Sequence, residues 1–453
     1  MIVTDELYVL PDGENYILYA PLLRTLLTVN RDVVDLLAHL RSGKRLDLDS
    51  QSQAVLQQLR DTGIIESTAA QPAEQAYSDD FRPARVTFLP TLSCNLRCIY
   101  CYADSGKLTV ELPLPIAEAA IDFVVANAVA GNVPNIQVGF LGGGEPFLAW
   151  HFMRAAVSYA EARGRASGKQ VFVTGVTNGV LSRDQVAWVA DHFQYLNISL
   201  DGPELIQDAH RPTVRQAGSY KLVCRTVTSL RERGFKFAVR STISSLSVDH
   251  MAQILRHFAE DLGVRRIHFE PLFACGRCQT SPDLAPEPER FIENFKACLP
   301  VAQECGVELF CSLVRLDTLA STFCGAMLDN FYITPHGFVT ACTEVSSPDE
   351  PMAKEFFIGK YDVKVGAFVF WNDQRRRLAS RTVMNLNSCQ GCIAKWHCAG
   401  GCAVKAGHTS SVYDAGPLSS CTIARSLTEF YVRTIAARSG INPPRVSASV
   451  ASP

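Results

Sequence analysis

Three cysteines in the run Cys94-Asn95-Leu96-Arg97-Cys98-Ile99-Tyr100-Cys101-Tyr102 follow directly on the apolar segment Val86-Thr87-Phe88-Leu89-Pro90. A closed structural zinc site takes four Cys or His ligands. Three thiols at C-x3-C-x2-C spacing are one short of that, whereas an iron–sulfur cubane held by three thiolates keeps one iron open to a further ligand. The spacing therefore asks for a fold that can hold a reactive loop after a strand. The chain has 453 residues, 47% of them hydrophobic, and a net charge of −2. That length implies about two to four domains. The near-neutral charge gives no field to draw nucleic acid or an anionic membrane. No stretch has the apolar length of a membrane span, and the amino terminus lacks a signal peptide's basic start and apolar core. The expected compartment is the cytosol, where thiols stay reduced. Sixteen cysteines there suit iron–sulfur clusters or zinc rather than disulfides. Arg375-Arg376-Arg377 reads as a solvated helix face.

Residues 1–66 read as a small domain. Strands at Glu6–Leu10 and Tyr16–Ala20 flank the turn Pro11-Asp12-Gly13. A helix capped at Asn30-Arg31-Asp32 carries Val33, Val34, Leu36 and Leu37, and a further helix with Val55, Leu56 and Leu59 closes at Thr62-Gly63-Ile64-Ile65. Residues 67–84 form a linker, with the polar run Ser67–Gln75. From 85 to 310 strand-like and helix-like segments alternate, with strands expected at 86–90, 136–141, 171–176, 195–200, 236–243 and 266–272, an α/β arrangement of parallel units. In βα barrels the chemistry gathers at the carboxyl ends of strands. Gly142-Gly143-Gly144-Glu145-Pro146, Thr177-Asn178-Gly179 and Ser199-Leu200-Asp201-Gly202 stand there. The glycines serve either a close backbone approach to a ligand or a tight turn. Asp201 suits a cap before Pro203, and Arg240 a guanidinium fork for a carboxylate or an ordinary salt bridge. Cys275-Gly276-Arg277-Cys278 is half a metal site and takes no role here, nor do Cys224, Cys298 and Cys305. Residues 311–453 hold Cys324, Gly337-Phe338-Val339-Thr340-Ala341-Cys342, Cys389-x2-Cys392-x5-Cys398-x3-Cys402 and Cys421.

The three-cysteine motif with its following aromatic residue resembles the radical S-adenosylmethionine superfamily, and the Gly-rich element resembles that family's GGEP sequence. The resemblance implies a partial (β/α)6 barrel. It also implies an open iron that chelates the amino and carboxylate groups of S-adenosylmethionine, whose C–S bond is cleaved to give a 5′-deoxyadenosyl radical. Cys94, Cys98 and Cys101 would be the cluster ligands, and Tyr100, Gly143, Gly144, Glu145, Asn178, Ser199 and Arg240 the cofactor contacts. The seven-cysteine order downstream resembles the SPASM auxiliary-cluster domain. It implies a distal [4Fe–4S] cluster on Cys389, Cys392, Cys398 and Cys421 and a proximal one on Cys324, Cys342 and Cys402, three clusters in all. The proximal set lacks an obvious fourth thiol, for which Cys311 is nearest, and paired zinc ribbons are the rival reading of C-x2-C spacing.

Residues 1–66 resemble the winged-helix leader-recognition domain of peptide maturases, which adds a leader peptide as a strand at its sheet edge, here expected to lie remote from the clusters. Winged helices also bind DNA or merely pack. The expected function is a radical S-adenosylmethionine maturase of a ribosomally made precursor peptide with a leader. Hydrogen abstraction is followed by closure of an intramolecular C–C, C–S or C–O crosslink. An external donor such as flavodoxin or ferredoxin supplies electrons, and neither nucleic acid nor membrane is a partner. One alternative is an anaerobic sulfatase-type maturase making formylglycine. There an Asp directly follows the Gly-x4-Cys element, whereas here Cys342 is followed by Thr343 and Glu344. Glu344 is the candidate base, although residues one and two past Cys342 face oppositely if that segment is extended. The other alternative is an iron–sulfur redox-sensing winged-helix regulator, which has no need of Gly143, Glu145 and Pro146 beside the first cluster.

Overall fold

The computed structural model describes residues 3–42, 49–66 and 77–439; the polar run Ser67–Gln75 lies outside them. Strands β1 (Tyr8–Asp12), β2 (Asn15–Ala20) and β3 (Thr25–Val29) form an antiparallel meander in that order. The hairpin turn falls at Gly13, in the left-handed region at φ +61°. Pro11 and Asp12 pair inside the ladder with Tyr16 and Asn15 and are not in the turn expected of them. Helix α1 (Arg31–Arg41) starts where Asn30 accepts the Val33 N–H at 3.2 Å. Helix α2 (Ser50–Asp61) starts where Asp49 accepts the Ser52 N–H at 2.8 Å. Val33, Leu37, Val55, Leu56 and Leu59 bury their apolar stripes against Leu18, Ala20 and Val29, a core separate from that of the remaining chain.

Strands β4 (Arg85–Phe88), β5 (Asn135–Phe140), β6 (Gln170–Thr177), β7 (Tyr195–Ser199), β8 (Phe237–Ile243) and β9 (Arg266–Pro271) run parallel in chain order, within a residue or two of their expected positions. Helices α3 (Leu114–Ala130), α4 (Trp150–Ser167), α5 (Arg183–His192), α6 (Glu204–His210), α7 (Tyr220–Glu232), α8 (Met251–Arg256) and α9 (Pro288–Cys305) lie between and after them. Val86, Val138, Val173, Ile198, Val239 and Ile267 are buried in the helix-covered core. The alternate residues face the concave side, so Ser199, Arg240, His268 and Phe310 form one register row, the last on a short seventh strand, β10 (Glu308–Phe310).

The sheet does not stop at the barrel. β11 (Tyr332–Ile333) lies parallel to β4, and β12 (Phe338–Thr340), β13 (Phe357–Asp362) and β14 (Ala367–Phe370) continue it antiparallel into one eleven-stranded sheet. Helices α10 (Ala353–Phe356), α11 (Asn372–Ala379), α12 (Lys395–Cys398), α13 (Ala403–Thr409) and α14 (Leu418–Ser439) follow. Helix α14 packs on α9 and also on β2 and β3. Arg375 departs from the solvated face expected of its triplet: it is buried, with its guanidinium over the Phe81 and Tyr77 rings and donating to the carbonyls of Ser78 and Asp79. No helix among the described residues is long and apolar enough to cross a membrane.

Candidate functional site

Cys94, Cys98 and Cys101 sit on the loop leaving the carboxyl end of β4, half-buried and within one another's electrostatic reach. Burial pushes the thiols of Cys94 and Cys98 up to about 12 and about 11. A thiolate there therefore needs a cation beside it, and binding one releases protons. Guanidinium groups hold the loop's carbonyls. Arg97 donates to the Cys94 and Leu96 carbonyls at 2.8 Å. Arg277 donates from its side chain to the Cys98 carbonyl at 2.6 Å and the Ser105 carbonyl at 2.9 Å, pairs with Asp104 at 2.9 Å, and gives its own N–H to the Cys101 carbonyl at 2.9 Å. Gly276 makes that approach possible. It is left-handed at φ +57°, and a Cβ there would strike the Cys101 and Tyr102 carbonyls. The C-x2-C segment without a role at the level of sequence is thus the clamp of the first motif.

Behind the loop lies a buried polar hub. Asp201 is fully buried and accepts from the Tyr100 hydroxyl, from Arg211 at 2.9 and 3.2 Å, and from the Thr242 N–H at 3.0 Å. Burial opposes its charge, but Arg211 and His210 hold the carboxyl well below the usual range. Arg211 also lies over the Tyr100 ring, with Nη1 3.9 Å from Cys98 Sγ. Asp201 is therefore a hub and not the turn cap expected before Pro203. Tyr100 is buried, with its hydroxyl turned to Asp201.

The Gly-rich element docks on the same loop. Gly142 and Gly143 are left-handed, a Cβ on Gly144 would collide with the Ser93 carbonyl, and Gly144 N–H and Glu145 N–H donate to Thr91 and Ser93 carbonyls at 2.8 Å. Glu145 accepts from the Thr177 hydroxyl at 2.8 Å, the Asn178 N–H at 2.7 Å and the Phe147 N–H at 3.2 Å. Burial outweighs these bonds and pushes its carboxyl up to about 7. Asn178 donates to Asn95 Oδ1 at 2.7 Å, with its amide 3.9 Å from Cys94 Sγ. The structure thus gathers the three thiols, residues 142–145 and Asn178 at one end of the barrel. Ser199 and Arg240 stand paired in register on the concave face. Arg240 lines a cavity of about 400 Å³ with Asn197, His268 and Phe310.

The downstream thiols fall into two sets. Cys389, Cys392, Cys398 and Cys421 line one cavity of about 320 Å³. Cys324, Cys342 and Cys402 act on one another. Arg381, 2% exposed, reaches both sets and donates to the carbonyls of Gly400, Gly401 and Asp414. Among the described residues no three His, Cys, Asp or Glu side chains converge closely enough to hold a single ion. Thr343 and Glu344 form a turn, so the strand alternation that set Glu344 apart from Cys342 does not apply. After burial, the Glu344 carboxylate is the strongest influence raising the thiols of Cys275, Cys342 and Cys402. Cys311 stands instead where the strongest nearby charges are Glu270, Lys405 and Arg240. Glu270, which the sequence does not single out, is buried and accepts from Ser312 at 2.7 Å, with His268 at 3.0 Å and Lys405 at 3.5 Å.

Residues 88–258 match the radical SAM superfamily, so the chain carries a radical SAM domain. A serine-type anaerobic sulfatase-maturating enzyme of Klebsiella aerogenes is 28% identical over 190 residues, 41% of this chain and 45% of the relative. The mycofactocin maturase MftC of Mycolicibacterium smegmatis is 29% identical over 195 residues, also 41% and 45%. The chain spans about half the length of the curated relatives it matches. The solved structure of native anSMEcpe with bound AdoMet aligns with a TM-score of 0.61 at 16% identity, over 78% of this chain and 99% of that one. Streptococcus suis SuiB bound to S-adenosylmethionine gives 0.52 at 12% identity, over 92% and 99%. These likenesses show the fold. Radical SAM domains use a [4Fe–4S] cluster and S-adenosylmethionine. The three neighbouring thiols on a guanidinium-clamped loop, beside the glycine backbone and a buried carboxylate, fit that pair.

Proposed function

We propose that this radical SAM chain is a maturase of a ribosomally made peptide, closing a C–C, C–S or C–O crosslink within it. The observation that carries the reading is a run of three cavities that share walls. The first, about 220 Å³, lies along Arg24–Leu26 at the start of β3, the outer strand of the amino-terminal meander, and is walled by Leu316 and Asp317. Those two residues also line the second, about 580 Å³, which meets the third at Arg266, His268 and Phe310. The third reaches Arg240, the register neighbour of Ser199. An open strand edge at one end and the barrel interior at the other suit a chain-like ligand, its leader added as a strand. The mycofactocin maturase and SuiB, the latter crystallised with precursor peptide SuiA, are similar proteins.

Cys94, Cys98 and Cys101 would hold the cluster that binds S-adenosylmethionine, and together these groups supply hydrogen abstraction from the substrate. Glu145, once ionised, receives the cofactor's amino group. Gly143, Gly144 and Asn178 present backbone and amide beside it, and Ser199 and Arg240 offer a hydroxyl and a guanidinium from the concave face. Tyr100 and Arg211 fix the loop at Cys98. The quartet and the trio of thiols would carry the distal and proximal auxiliary clusters that take up the remaining electron, with flavodoxin or ferredoxin as the external donor. Glu344 removes the substrate's proton beside the trio. The sulfatase-type reading stays as the second, supported by a carboxylate in the turn just past Cys342, Glu344, whose charge is the strongest acting on the Cys342 thiol.

The test is incubation of anaerobically reconstituted enzyme, S-adenosylmethionine and reductant with peptides from the small reading frames beside its gene, and with a sulfatase-loop peptide. The expected result is deoxyadenosine formation matched by loss of two hydrogens from a precursor. In Glu344→Gln the deoxyadenosine persists while product falls by roughly a hundredfold. Formylglycine in the sulfatase peptide with no change in any precursor would give the second reading the chain.

A further inference from the structure

The amino-terminal sheet touches the one stretch of chain that carries three of the quartet's four thiols. Tyr8, on β1, places its hydroxyl 2.8 Å from the Cys392 carbonyl and 2.9 Å from Glu6 Oε2, one proton shared between two acceptors. The other oxygen of Glu6 pairs with Lys395 at 2.6 Å, and Lys395 is 2% exposed. Lys395 also lines the cavity enclosed by Cys389, Cys392, Cys398 and Cys421. On β2, Tyr19 bonds His397 Nε2. His397 Nδ1 faces the Arg315 and Thr318 carbonyls at 3.1 and 3.2 Å, which requires the proton on Nδ1 and makes Tyr19 the donor to Nε2. The quartet's remaining thiol comes from α14, and Arg433 of that helix donates to the Pro11 carbonyl at 2.6 Å. Both pieces of chain that form the quartet are thus fastened to the same small sheet. The expectation that the sheet lies remote from the clusters is overturned.

We propose that the amino-terminal sheet is a wall of the distal cluster's site and, through the Glu6–Lys395 pair, sets how readily that cluster accepts an electron. The inference rests on the reading of the quartet as an iron–sulfur site. A thiolate-held cluster is anionic and becomes more so on reduction, and its potential follows net charge and hydrogen bonding around it. Lys395 favours the reduced form. Glu6 cancels part of that charge from the other domain, so whatever seats on the sheet and shifts β1 alters the acceptor's potential. This couples substrate capture to electron transfer without a contact between the substrate and the cluster.

The experiment is an EPR-monitored redox titration of full-length, iron-loaded protein, with iron counted first. Glu6→Gln, which leaves Lys395 uncancelled, is expected to raise the distal potential, and Lys395→Met to lower it. The other two signals stay in place. Opposite signs are the readout that loss of packing alone does not produce. An unmoved or lowered distal potential in fully loaded Glu6→Gln overturns the proposal. If either charge variant fails to hold iron, Tyr8→Phe, which keeps both charges, decides: a distal signal identical to wild type overturns the proposal, and a change confined to that signal supports it. Cys389→Ala/Cys421→Ala separates the two levels. Iron unchanged in that variant would remove the iron–sulfur reading itself, whatever the charge variants show.

Discussion

Glu145 accepts three hydrogen bonds and still has its carboxyl pushed up to about 7, because burial at 3% exposure outweighs them. Burial favours the neutral form, so the side chain keeps its proton up to about that pH, and pairing with an ammonium group requires the proton to leave. Affinity for S-adenosylmethionine should therefore rise with pH through about 7 and level off above it, with a slope approaching tenfold per pH unit on the acid side. Glu145→Gln should bind more weakly with no such slope. Equilibrium dialysis of cluster-loaded protein between about pH 6 and 8 checks this, and an unchanged slope in the variant would assign the titration elsewhere. The cysteines and Glu145 are legible in the chain because their spacing is local. Asp201, Arg211 and Arg277 are not, since each acquires its role only from a partner brought in by the fold: Arg211 and Tyr100 at Asp201, and the Cys98 and Cys101 carbonyls at Arg277.

The loop after β9 acts on the loop after β4 as a single clasp, with Gly276 at its point of closest approach. Alanine there must adopt a left-handed conformation and press its Cβ on two carbonyls, which costs more than about 1 kcal/mol and displaces Arg277. Gly276→Ala is expected to lose the iron of one cubane and the cofactor-linked EPR signal while the quartet and trio still load. Full iron with an unaltered signal would show that the clasp is dispensable. The six barrel strands are readable from their apolar runs because both faces of the surrounding chain obey one alternation. β3, β10 and β11–β14 are not expected from the sequence. β10 and β11 are only three and two residues long, too short for a period-two pattern to register, and each exists by hydrogen bonding to a neighbour already in place. The turn at Thr343-Glu344 shows the same limit, since an offset counted along a strand has no meaning once the strand has ended.

Across the whole molecule, the amino-terminal meander buries Lys395 and fastens α14, so it is part of the frame around the quartet, whatever it binds besides. Deleting residues 1–66 should therefore remove modification of a precursor and also the quartet's iron, while the cofactor cluster still loads and cleaves S-adenosylmethionine. Iron counting and deoxyadenosine assays on the truncated chain check this, and full iron content would return the meander to a purely recognising role. The structure gives the amino-terminal segment a core of its own, while the barrel and the cysteine-rich end share one sheet and one core. The contacts between these parts are not legible in the sequence, because Glu6 and Lys395 or Thr87 and Tyr332 meet only after folding. The pairing of β4 with β11 also bears on synthesis. The strand that carries the three-thiol loop emerges early from the ribosome, yet one of its two edges stays uncovered until nearly three quarters of the chain has been made. An open edge beside reactive thiols invites pairing with other chains, and closure over so long a separation is slow. Iron delivered before Tyr332 and Ile333 arrive would meet a half-built seat, so loading of the three-thiol loop is expected to follow the synthesis of β11.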